Sequence, residues 1–91
     1  MVDVRIYTTR WCPYCHRAKA LLEKRGVAFE EIDASDPEKR AWLAEQTGSR
    51  TVPQIFIAGV PVGGCDDLHA LDRAGELAPI LAGERPPPSV I

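Results

Sequence analysis

Two cysteines three positions apart, Cys12 and Cys15, fall where the apolar periodicity of the chain changes from two to 3.6. Before them Val2, Val4 and Ile6 alternate with Asp3, Arg5 and Tyr7, the pattern of a strand. After them Ala18, Leu21 and Leu22 recur at helical spacing among charged residues, with Pro13 in the first turn and Gly26 past the end. Cys12 is therefore expected at the N-terminus of a helix that follows directly on a strand, which is the first half of a βαβ unit.

The rest of the chain continues that pattern. Val27 to Ile32 reads as a second strand. Ser35 or Asp36 is placed to cap a second helix from Pro37, which is expected to turn Ala41, Trp42, Leu43 and Ala44 inward before Gly48. Gln54 to Ile57 is a third strand, Gly59 a turn, and Val60 to Val62 a short fourth strand paired with the third. Leu68, Leu71, Leu77, Ile80 and Leu81 mark a terminal helical segment with a break near Gly75. Pro86-Pro87-Pro88-Ser89 has little to bury, so residues 1–84 are expected to form one domain and 85–91 a mobile tail.

Composition bounds the function. Apolar residues make up 45% of the 91 and charged residues 26%, enough for one packed core. The net charge of −2 comes without a block of Lys or Arg, which argues against nucleic acid as a partner. No apolar run approaches membrane-spanning length and the first residues lack the layout of a secretory signal, so a soluble cytosolic protein is expected. Three cysteines, two of them close together, read as chemical groups rather than as a disulfide framework.

Orphan N–H groups and aligned peptide dipoles at a helix N-terminus favour Cys12 as a thiolate, the form that attacks a disulfide. Arg10 and Arg17 add positive charge nearby. Cys15, one turn deeper, is expected to be less exposed and able to resolve a mixed disulfide at Cys12. Pro13 fixes its own φ between the two and has no N–H to leave unpaired, while Tyr14 offers an exposed apolar face. A Cys-x-x-Cys is also half of a zinc site, but only Cys65, His16 and His69 remain as further ligands, and no second Cys-x-x-Cys exists. Cys65 itself, next to a Gly pair, reads as packing, His16 and His69 as helix-surface residues, and Trp42 as core.

Three separated motifs carry a family resemblance: Cys12-Pro13-Tyr14-Cys15, Thr51-Val52-Pro53 and Gly63-Gly64-Cys65-Asp66-Asp67. From Val4 to Leu81 the chain resembles the dithiol glutaredoxins, particularly the small bacterial ones that use glutathione as reductant. The resemblance implies an α/β thioredoxin-like fold, a four-stranded mixed β-sheet flanked by three or more helices. It implies a cis peptide before Pro53, with Thr51 and Val52 beside the sulfurs and the Val52 main chain pairing with the cysteinyl part of glutathione. It also implies that the N–H groups of Cys65 and Asp66, after Gly64, take the γ-glutamyl carboxylate, with an Asp66 or Asp67 carboxylate near the ammonium; Asp66 is placed to cap the last helix. The family often carries a Lys before the first cysteine for the glycyl carboxylate. Here Arg10 or Arg50 is the substitute, with Arg40 a further candidate, and Trp11 departs from the usual Thr.

The implied activity is glutathione-dependent reduction of protein–glutathione mixed disulfides and of protein disulfides, ribonucleotide reductase among the implied clients. Glutathione is a co-substrate, no resident cofactor is expected, and the protein is expected to be a monomer. Two rivals stay open: a redoxin of the same fold reduced by another donor such as thioredoxin reductase, and a dimer holding an iron–sulfur cluster through Cys12. The Gly63 to Asp67 turn speaks against the first, Pro13 and Cys15 against the second.

Overall fold

The computed structural model describes residues 2–91. β1 (Val4–Thr8) sends alternate side chains to opposite faces of the sheet, and this divides the molecule into two layers of helices. On one face Val4 and Ile6 pack with Ala18, Leu21 and Leu22 of α1 (Pro13–Lys24). The same cluster takes in Ile55 and Ile57 of β3 (Gln54–Ile57), Leu68 of α3 (Cys65–Arg73) and Leu77, Ile80 and Leu81 of α4 (Leu77–Leu81). On the other face Tyr7 and Phe56 meet Leu43 of α2 (Pro37–Thr47). β3 is buried along its whole length because helices cover both of its faces, hence its unbroken apolar run after Gln54.

With β2 (Glu30–Asp33) and β4 (Val60–Gly63), the four strands lie in the order β2-β1-β3-β4. β1 and β2 are parallel, whereas β1–β3 and β3–β4 are antiparallel, giving the mixed sheet of a thioredoxin-like fold. Two register pairs decide where the loops meet. Tyr7 lies opposite Gln54, and Ile55 opposite Gly63. The end of β1, the start of β3 and the end of β4 therefore share one edge of the sheet, and the segments 9–12, 51–53 and 64–65 gather there.

Local chemistry sets the helix starts. Asp36 caps α2 by accepting from the Glu38 N–H at 3.1 Å, with Pro37 in the first turn. α3 begins two residues earlier than a cap at Asp66 requires. Its N-cap is Gly64, which has no side chain to offer, so Asp67 reaches back and accepts from the Gly64 N–H at 2.9 Å. At the far ends of α1 and α3 the Arg25 guanidinium forks onto Asp72 at 2.6 and 2.8 Å, tying the two helices together.

The structure departs from expectation at several points. β2 starts at Glu30 rather than Val27, because the Val27 N–H is taken by the Leu22 carbonyl and its side chain plugs the α1 cluster. In α2 only Leu43 and Thr47 are buried, while Ala41 and Trp42 are exposed. Consecutive helical residues point about 100° apart, so three in a row cannot share one narrow face. Trp42 instead lies across the rim of the sheet, stacked on Phe56 at 6.1 Å and tilted against Tyr7 at 5.6 Å. The terminal helical segment breaks at Gly75 as expected, into α3 and α4. In the tail, the Val90 N–H donates to the Pro61 carbonyl of edge strand β4 at 3.0 Å.

Leu43 is the aliphatic anchor between α2 and the sheet. Leu43→Ala is expected to cost about 2–5 kcal/mol and Asp36→Ala about 1 kcal/mol, read as shifts of the urea midpoint at unchanged slope.

Candidate active site

Cys12 has extended backbone, with φ −130° and ψ 100°, and is the N-cap of α1. N-caps are usually oxygen side chains. Here the cap acceptor is sulfur: Cys12 Sγ accepts from the Cys15 N–H at 3.2 Å. The residue that opens the helix is thus held by an orphan N–H at the positive end of the helix dipole, which stabilises negative charge on that sulfur. On its other side the thiol lies 3.7 Å from the Val52 carbonyl oxygen, across the gap to the 51–53 loop.

Cys15 sits one turn behind. It is 1% exposed against 8% for Cys12, the order of accessibility that attack and resolution require. Burial, reinforced by its hydrogen bond with Cys12, pushes the Cys15 thiol up to about 12, so it is protonated at neutral pH. Burial also raises the Cys65 thiol. His69 is partly buried rather than solvated: its Nδ1 lies 2.9 Å from the Cys65 carbonyl oxygen and 3.4 Å from Cys65 Sγ. Tyr14 is half exposed, and the Arg17 guanidinium covers its ring at 5.8 Å.

The Val52–Pro53 peptide is cis. Facing it, Gly63 has φ +109°, and a Cβ there would collide with the Asp67 carboxylate. A Cβ on Gly64 would lie 3.2 Å from the Pro53 carbonyl oxygen, so the bare backbone lets the head of α3 close onto the cis-proline loop. Between these walls lies a groove of about 460 Å³, bounded by Tyr14, Thr51, Val52 and Pro53 on one side and by Gly64, Cys65 and Asp66 on the other. Two helix N-termini, those of α1 and α3, border this part of the surface.

Of the residues singled out from the sequence, Tyr14, Thr51, Val52, Pro53, Gly64, Cys65 and Asp66 come together here, and Val52 links them to Cys12. The arginines do not line this groove. Arg10 stands in a different hollow with Glu31 and Asp33, because the turn through Arg10 and Trp11 carries it toward β2. Arg50 lies with Arg40 in a neighbouring hollow that also touches Thr9. Trp11 is 88% exposed, so its ring stands out from the surface immediately before the reactive sulfur.

Sequence reasoning missed the groove's floor. Gln54 Nε2 donates to the Thr51 carbonyl at 3.0 Å, and the Ser49 and Thr51 hydroxyls are 2.7 Å apart, so a polar network stiffens the loop that carries Pro53. Residues of these types occur in any loop, and nothing in their spacing marks them. Val90 also lines the groove, which a Pro-rich tail gives no reason to expect.

An arrangement that holds one sulfur at the cap position of a helix and a second one turn behind it is built for thiol–disulfide exchange. Fold and site together define a thioredoxin-fold dithiol oxidoreductase. Comparison narrows the class. Residues 4–62 match the family model described as Glutaredoxin. The chain is 60% identical over 83 residues to a glutaredoxin of Pseudomonas aeruginosa, covering 90% of this chain and 99% of that one. It is 52% identical over 82 residues to glutaredoxin 3 of Escherichia coli, covering 89% and 99%. Among solved structures, a glutaredoxin from Brucella melitensis superposes with a TM-score of 0.84 at 57% identity, covering 93% and 94% of the two chains. A buckwheat glutaredoxin–glutathione complex gives 0.83 at 32% identity, covering 90% and 78%. The chain belongs to the glutaredoxin family, the glutathione-dependent thiol–disulfide oxidoreductases.

Only the thiolate reacts with an alkylating agent, and the Cys15 and Cys65 thiols are both raised. Brief exposure of the reduced protein to iodoacetamide at about pH 7 is expected to place one label, on Cys12; the other two should stay unlabelled until the pH rises or the protein unfolds. Peptide mass spectrometry reads the result.

Proposed function

We propose that Cys12 attacks the glutathionyl sulfur of a protein–glutathione mixed disulfide, releasing the protein thiol and leaving glutathione on Cys12. A second glutathione then attacks that adduct, forming oxidised glutathione and restoring the Cys12 thiolate. The supporting observation is the Cys12 sulfur itself, held by the Cys15 N–H and 3.7 Å from the carbonyl oxygen of Val52, which lines a groove whose other wall is the head of α3. In this reading the groove takes glutathione. The Val52 main chain pairs with its cysteinyl backbone, and the first-turn N–H groups of Cys65 and Asp66 hold its γ-glutamyl carboxylate. Tyr14, Thr51 and Pro53 form the apolar wall, and Gly64 leaves the backbone room. For the glycyl carboxylate Arg50 is favoured over Arg10, since it follows Ser49 and precedes Thr51, both of which line the groove.

Protein disulfides are reduced by the same nucleophile with Cys15 as resolving thiol. The Cys12–substrate bond is then broken by the sulfur one turn behind, and the Cys12–Cys15 disulfide is returned to thiols by glutathione. Electrons enter as thiols, so neither route calls on a resident cofactor. NADPH through glutathione reductase is the source we infer for them, and glutathionylated or disulfide-containing proteins of a reducing cytosol are the inferred clients.

Cys12→Ser is expected to reduce turnover of a glutathionylated peptide more than about a hundredfold, since the nucleophile itself is lost. Cys15→Ser is expected to stay within about threefold of the parent on that substrate and to lose reduction of protein disulfides. NADPH oxidation in an assay coupled through glutathione and glutathione reductase measures the first, and insulin reduction the second. Normal turnover by Cys12→Ser would show that the nucleophile is misassigned.

A further inference from the structure

The dithiol route requires a buried, protonated thiol to become a nucleophile. Cys15 must lose its proton before it can attack, yet it is 1% exposed and lies beneath Cys12. The surroundings of Cys15 therefore bear directly on the resolving step.

Lys19 follows Cys15 by four residues on α1, so both side chains leave the same face of the helix one turn apart. Helical side chains lean back toward the N-terminus, which carries the Lys19 stem over the turn that holds Cys15. Its ammonium is anchored. Lys19 Nζ lies 2.9 Å from Glu31 Oε2, and the Thr8 hydroxyl donates to the same oxygen at 2.7 Å. Thr8 is the buried last residue of β1, and Glu31, on parallel β2, pairs with Ile6 two residues before it. The Lys19 side chain is only 21% exposed, unusual for a lysine that serves surface solvation alone.

We propose that Lys19 and Glu31 are positioning residues for the resolving thiol: the Lys19 ammonium, leaning over Cys15, favours its thiolate at the moment of attack, and Glu31 fixes the ammonium there while moderating its charge. The inference rests on the dithiol route proposed above. In that step Cys15 gives its proton to solvent and its sulfur bonds to Cys12 Sγ as the Cys12–glutathione S–S bond breaks. Glutathione leaves as a thiolate and is then protonated; the mixed disulfide is reduced and the cysteine pair oxidised.

Other groups act on Cys15 as well. Cys12 raises its pKa, and the main chain of Thr9, in the segment after β1, favours the thiolate by hydrogen bonding. Arg10, His16 and Asp33 share the hollow around Lys19 and Glu31. The Glu31 carboxyl is lowered first by Lys19 and then by Thr8, so it stays ionised through neutral pH.

The two ends of the pair predict opposite effects, which separates an electrostatic role from a merely structural one. Reduced protein is mixed rapidly with oxidised glutathione, quenched in acid, and the glutathione adduct followed by mass spectrometry between about pH 6 and pH 9. The adduct-forming phase reports in each variant that the site is folded. Lys19→Met is expected to slow decay of the adduct roughly threefold to tenfold and to move its pH midpoint upward, since below the midpoint one unit is tenfold in thiolate. Glu31→Gln is expected to speed decay and move the midpoint downward, and Lys19→Arg to behave as the parent. Unchanged decay in both, or slowing in both, would overturn the inference while leaving the dithiol route intact. An adduct that never decays in the parent protein would overturn the dithiol route and this inference with it.

Discussion

The hydrogen bond from the Cys15 N–H to Cys12 Sγ is the interaction on which the site depends, because it makes one atom both a structural cap and a nucleophile. A helix must find an acceptor for its first N–H groups, and a thiolate meets that need better than a thiol. Pro13 suits the arrangement, since it removes one N–H that would compete for the sulfur and presets the backbone of the first turn. The chemistry is thus built into the start of an ordinary helix and needs no added element.

The sheet then brings partners to that sulfur. The antiparallel pairings β1–β3 and β3–β4 bring three chain segments to one edge, and a parallel arrangement of these strands would have scattered them. Two bare backbone positions, Gly63 and Gly64, allow the last of these segments to approach the cis-proline loop. Apolar packing on both faces of β3 fixes the strands, and the Arg25–Asp72 fork holds α1 and α3 at their far ends. Depth supplies the difference between the two cysteines. They lie on one helix, one turn apart, and burial alone is the main reason that Cys15 is held as a thiol.

Much of this was legible in the sequence, for physical reasons. The strand–Cys-x-x-Cys–helix junction showed in the change of apolar period, and Asp36 and Pro37 announced α2 by their capping chemistry. Most residues of the groove were found through three motifs whose combination is far more specific than any one of them. Side-chain direction was less accessible: Trp42 is apolar and flanked by core residues, yet it caps the rim. Cap assignment at Gly64 was missed because a glycine N-cap has no side-chain signature, and the compensating carboxylate lies three residues on. Proximity in sequence was a poor guide to proximity in space at Arg10, which is two residues from Cys12 and stands in a different hollow from the groove. Lys19 was not singled out in the sequence because its partners, Thr8 and Glu31, come from two other elements.

The central claim is that one sulfur, Cys12, carries glutathione through the reaction. Treating Cys15→Ser with oxidised glutathione and mapping the product by peptide mass spectrometry tests it most directly, because the adduct cannot then be passed on to the second thiol. The account predicts one glutathione per chain, on Cys12, released again by reduced glutathione. An adduct on Cys65, or a Cys12 that stays unmodified in folded protein, would contradict it.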